Sequence, residues 1–135
     1  MISPHLHSFI NSLMAKQHVT EEDVKHLHRD LLPDGIPSHA VADALLALDR
    51  TLDADPAWAE FLTPSIVDFA VWGLRPTGVI NVETANWLLT ALTIGEPTPT
   101  ALRILEEIAA SAHEVDPALL LHAWRQTSPN RQRAA

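Results

Sequence analysis

Apolar residues along this chain recur at steps of three and four, and nowhere in a sustained alternation of two. That pattern predicts helices throughout and no sheet. The longest apolar stretch, PAWAEFLTPSIVDFAVWGL from Pro56 to Leu74, holds two of the four tryptophans and two of the three phenylalanines. Trp58, Phe61, Leu62, Ile66, Phe69 and Val71 spread over more than one helical face, as in a helix with neighbours on several sides. Asp55-Pro56 supplies a cap and then a proline at the first helical position, where its missing N–H costs nothing. Pro64 either kinks one long helix or opens a second one capped by Thr63. We take the second reading, two helices end to end over 56–62 and 64–73, with Gly73 as the stop and Pro76 beyond it. Glu60, Pro64, Asp68, Trp72 and Arg75 fall close to one stripe, which places Asp68 in water.

Similar helical phrases flank this segment. Ser3-Pro4 opens a helix over 4–15 with Leu6, Phe9, Ile10 and Leu13 as its apolar side. Thr20 with Asp23 is a capping pattern ahead of Val24, Leu27 and Leu31. Pro33-Asp34-Gly35 makes a turn. Ser38 then opens a helix with Val41, Leu45, Leu48 and Leu52 inward. Asn81 caps a helix carrying Val82, Ala85, Leu88, Leu89 and Leu92, and Thr98-Pro99 opens another with Leu102, Leu105, Ile108 and Ala112. Asp116-Pro117 starts a last short helix to Gln126, followed by a tail. The phrases VTEEDVKHL (19–27), IPSHAVADA (36–44) and INVETANWL (80–88) align without gaps. Any capped amphipathic helix reads this way, and a duplicated helix-pair unit reads this way too. The expected architecture is all-α: a compact single-domain bundle of six to eight short helices around the central apolar helix 56–74. Residues 1–126 are its domain and 127–135 its C-terminal tail.

Composition narrows the function classes. A chain of 135 residues fits one domain and buries about two-thirds of its unfolded surface, so it folds without metal or disulfide. No cysteine is present, which excludes disulfides, thiolate metal sites and cysteine nucleophiles. Net charge is −8, and between Asp43 and Asp68 six acids face one base, Arg50. Such a field repels phosphate and argues against nucleic-acid or anionic-membrane binding. Only the tail, with Arg125, Arg131 and Arg133, leans basic. MISPHLHSF lacks a basic region ahead of an apolar core, and no stretch matches the roughly 20 apolar residues of a membrane span, so a cytoplasmic protein is expected.

Five histidines (His5, His7, His18, His26 and His28) crowd the N-terminal part. Glu22, His26 and Asp30 recur at four-residue steps on one helical stripe, where imidazole and carboxylates are ligands for a divalent ion such as zinc. The same stripe lies opposite Val24, Leu27 and Leu31, which makes it equally a solvated face with a helical Glu22–His26 pair. Asp34-Gly35 lacks the alternating acids and the later glutamate of a calcium loop. No HExxH, G-x-S-x-G, P-loop or G-x-G-x-x-G motif occurs, and no cofactor is expected. Asp68 in an apolar setting has a catalytic reading, as a group of raised pKa, and a Glu83–His39 couple is conceivable although nothing in the sequence brings the two together. Trp58 and Trp87 are assigned to the core. Trp72, beside Asp68 and Arg75, and Trp124 near the C-terminus are candidate anchors at a protein interface.

The phrases TGVINVETANWLL and, more loosely, DGIPSHAVADALL resemble the turn-to-helix phrases of the small TerB-like helical domains of tellurite resistance, over residues 20–112. The resemblance implies an all-α fold of similar length and a link to metal-stress systems. Acids near these turns would be Asp34 and Glu83, with His39 where an acid is wanted. The leading expectation is a small non-catalytic module that binds another protein or a second copy. The alternative is a divalent-metal-binding TerB-like protein using Glu22, His26, Asp30, Asp34 or Glu83. A small enzyme with a carboxylate at Asp68 comes third.

Overall fold

A computed structural model describes residues 4–74, 77–92, 98–117 and 119. The fold is all-α. Among the described residues six α-helices run in the order α1 (Pro4–Lys16), α2 (Glu21–His26), α3 (His39–Thr51), α4 (Pro56–Val67), α5 (Val82–Leu92) and α6 (Pro99–Ser111). Four two-residue strands accompany them among the described residues: β1 (His18–Val19), β2 (Asp53–Ala54), β3 (Val79–Ile80) and, after α6, β4 (Glu114–Val115). These strands correct the expectation of no sheet. They pair in parallel, His18 opposite Asp53 and Val79 opposite Glu114. Two residues are too few to leave an alternation in the sequence.

The chain divides into two compact units, Met1–Ile66 and Val67–Ala135, and the boundary falls inside the long apolar segment. That segment is not broken at Thr63. Helix α4 passes through Pro64 and continues as a π-helical stretch, Asp68–Gly73. Pro64 is exposed, whereas Thr63 is fully buried and its Oγ1 has no hydrogen-bond partner. A cap must lend its oxygen to the following backbone, and Thr63 does not. Within the first unit Trp58, Leu62 and Ile66 join Leu13, Val24, Leu27, Val41, Leu45 and Leu48 in the buried set. Within the second, Val67, Phe69, Ala70 and Val71 join Ile80, Leu88, Ile104, Leu105 and Ile108.

Four of the predicted caps form, at Thr20, Ser38, Asn81 and Thr98, whereas the Asp55 carboxylate ahead of α4 is taken by His18 and the Glu21 N–H. Thr20 Oγ1 accepts from the Asp23 N–H, and the Asp23 carboxylate accepts from the Thr20 N–H, closing a reciprocal box. Ser38, Asn81 and Thr98 accept from Val41, Thr84 and Ala101. A second difference follows α2, where Leu27–Leu31 is π-helical and the Leu32 N–H bonds the Leu27 carbonyl. The wider turn puts Leu32 into the core at 5% exposure and leaves the predicted Leu31 only half-buried.

The two units repeat one plan. Gln17 and Gly78 are both left-handed, with φ 61° and 79°. Each precedes a short strand and then a cap, Thr20 or Asn81, that opens a helix. Ser38 and Thr98 cap the next helix of each unit. The N–H of Asp55 bonds the Val19 carbonyl, as that of Asp116 bonds the Ile80 carbonyl. Asp55-Pro56 and Asp116-Pro117 then follow in the same place. In this register VTEEDVKHL and INVETANWL correspond residue for residue. IPSHAVADA does not share it, because its cap, Ser38, stands one position later in the phrase.

Candidate functional site

In the first unit the polar residues gather around the β1–β2 pair. Parallel pairing sets His18 beside the chain that leads into Asp55. The imidazole Nε2 lies 2.8 Å from Asp55 Oδ1, and the other carboxylate oxygen accepts the Glu21 N–H at 3.0 Å. These two bonds, the His18 one foremost, hold the Asp55 carboxyl below its ordinary value of 3.8. Nearby, Asp23 receives Lys16 Nζ at 2.6 Å as well as the two Thr20 donors. Partial burial pushes its carboxyl up, but Lys16 and Thr20 together outweigh that and leave it lowered. Both clusters are internally paired and tie neighbouring segments of the unit together.

The predicted metal stripe comes apart into pairs. His26 Nδ1 lies 2.9 Å from Asp30 Oδ2, and the His26 ring packs on Phe9 with centroids 5.3 Å apart. Glu22 is instead 3.8 Å from Lys25 Nζ. Asp34 is exposed in its turn and Glu83 is exposed in the first turn of α5. An open cavity of about 390 Å³ is lined by His5, His26, Asp30 and Leu31. Among the described residues no group of three or more histidine, aspartate or glutamate side chains is placed to hold an ion.

Of the predicted interface residues, Asp68 and Trp72 are exposed on the π-helical stretch, while Arg75 and Trp124 lie outside the described residues, as does the 127–135 tail. Trp58 is buried and its Nε1 donates to Asp49 Oδ1 at 3.1 Å. Trp87 is half-buried, with its ring edge-on to Phe69 at 5.7 Å. Trp72 is different: it keeps 45% of its surface open while its ring meets His113 at 5.6 Å and 81°. Gly78 lies directly beneath this pair. A Cβ there would fall 2.6 Å from His113 Cδ2 and 3.3 Å from Trp72 Cζ3.

The sequence assigned no role to His113 or Gly78 and did not mark Met14 (48%) and Val82 (57%) as exposed apolar side chains. Val82 was readable, since the residue after an N-cap projects from the helix start rather than into the core. The His113–Trp72 contact joins distant parts of the chain and leaves no local signal. No protein-family model matches the sequence, no curated protein matches it, and no solved structure matches the fold.

Proposed function

We propose that this chain is a non-catalytic helical module that acts by binding another protein. The observation that carries the reading is Trp72, a large aromatic side chain left nearly half open with its ring packed edge-on against His113. Leaving such a ring in water forgoes apolar burial, and tryptophan is among the residues enriched at the energetic anchors of protein interfaces. No helix among the described residues is long and apolar enough to cross a membrane. The cytoplasm is the compartment this reading assigns, where a chain without cysteine is indifferent to reducing conditions.

The test compares tagged full-length protein with its Trp72→Ala variant in quantitative affinity capture from cells. Sedimentation of both is run in parallel. A specific partner, or a second copy, should be lost by about tenfold or more in the variant. Recovery that is identical for the two proteins, with both monomeric, removes the reading.

A further inference from the structure

The two units follow one plan, and their departures from it converge on a single spot in the second. The segment from Leu13 to Gln17 in the first unit corresponds to the longer one from Val71 to Gly78, because the Gln17 and Gly78 N–H groups bond the Leu13 and Val71 carbonyls. The Leu52 and Ala112 N–H groups close α3 and α6 alike, on Leu48 and Ile108. Asp53 then enters its strand at once, whereas His113 is inserted before Glu114. That extra residue is the one whose ring packs on Trp72. Its N–H bonds the Gly78 carbonyl at 2.7 Å. Gln17 shows that this backbone position accepts a side chain at φ 61°. Gly78 is therefore required by the rings above it rather than by its dihedral angle alone. The inserted histidine and the bare glycine together make room for one exposed aromatic pair.

We propose that the Trp72–His113 pair is a docking surface for a basic segment of a partner protein, with a lysine or arginine side chain lying over the Trp72 indole. This rests on the protein-binding reading above and specifies the partner's chemistry. Tryptophan offers the strongest ring face for a cation, and an edge-on neighbour such as His113 fixes the ring without covering both faces. The charge balance favours a cation: two exposed acids, Asp68 and Glu114, adjoin the pair along the chain, against one base in the sequence, Arg75. Asp68 precedes Trp72 on the same helical stretch and Glu114 follows His113, and both are exposed. A purely apolar partner would have to strip water from these carboxylates, and a second copy of so acidic a chain would bring more acid to them.

The probe is a synthetic peptide of alternating arginine and serine, titrated into the full-length chain and followed by tryptophan fluorescence and backbone amide shifts. A glutamine–serine peptide and a leucine–serine peptide are the controls. The arginine peptide should bind with shifts centred on Trp72, Gly78 and His113, and Trp72→Ala should weaken it about tenfold. Asp68→Asn and Glu114→Gln should each weaken it about twofold to fivefold and flatten its salt dependence. Trp72→Phe, which keeps a ring, should retain part of the affinity and stands in if the alanine variant does not fold. The proposal is overturned if Trp72→Ala and Trp72→Phe bind the arginine peptide as the parent does. It fails equally if no arginine binding is seen, if the leucine peptide binds as tightly, or if the parent dimerises through Trp72. Loss of a cellular partner in Trp72→Ala, without any arginine binding, would sink this assignment and leave the protein-binding reading standing. Arginine binding that depends on Trp72, with cellular recovery unchanged and both proteins monomeric, would remove the protein-binding reading and the partner segment with it, leaving a cation site only.

Discussion

Asp55 accepts two hydrogen bonds that join the end of β2 to β1 and to the start of α2, and its pH behaviour follows from them. Its folded pKa lies below the unfolded value of 3.8, with the His18 bond as the leading cause. The sign is that of a depressed acid: the contribution is complete above about pH 5 and is lost as pH falls through the folded pKa. The stability gap between the parent and Asp55→Asn, measured by urea unfolding, should narrow as pH falls below 3.8. A gap that widens on acidification would contradict the assignment. Thr63 presents the opposite case, a buried hydroxyl without an acceptor. Thr63→Val keeps the shape and removes the desolvated group, so it should raise stability by about 1 kcal/mol. A loss of similar size would show that the hydroxyl has an acceptor after all.

At the scale of elements, whatever local side-chain chemistry decides was legible in the sequence. Thr20, Ser38, Asn81 and Thr98 could be read as caps because a cap needs only the three residues after it. Thr20→Ala removes the acceptor for the Asp23 N–H and opens the box, which should cost about 1 kcal/mol of unfolding free energy and fray α2 first in amide exchange. Uniform exchange across the unit would argue against that. What depends on distant partners was not legible. The strand pairs consist of two residues each and are set by contacts across the unit. Leu32 replaces Leu31 in the core because one π-helical turn adds a residue that no 3.6-residue pattern anticipates. Pro64 read as a helix start and lies instead on the exposed side of α4. Of the candidate site, Trp72 was visible through its stripe with Asp68. Its partner His113 was not, since an inserted loop residue has no periodicity to betray it.

At the scale of the whole molecule, the repeat makes each unit a control for the other. Residues at corresponding positions do the same backbone task, so the side chain found in one unit should be acceptable in the other unless a local contact forbids it. Val82 is exposed where the first unit has the exposed Glu21, both at the first position of a capped helix. Val82→Glu should therefore be neutral, or gain a few tenths of a kcal/mol as an acid placed at a helix N-terminus. Gln17 holds a left-handed conformation that Gly78 holds without a Cβ. Gln17→Gly should gain up to about 1 kcal/mol, the steric penalty released less the added freedom of the unfolded chain. The reverse exchange, Gly78→Gln, should fail, because His113 and Trp72 occupy the space its Cβ would need. Urea midpoints of the three variants measure this directly. Two tolerated exchanges and one damaging one would establish both the correspondence of the units and the single place where they diverge. If Val82→Glu and Gln17→Gly each cost more than about 1 kcal/mol, the positions do not correspond, and the case built on their differences at Gly78 falls with them.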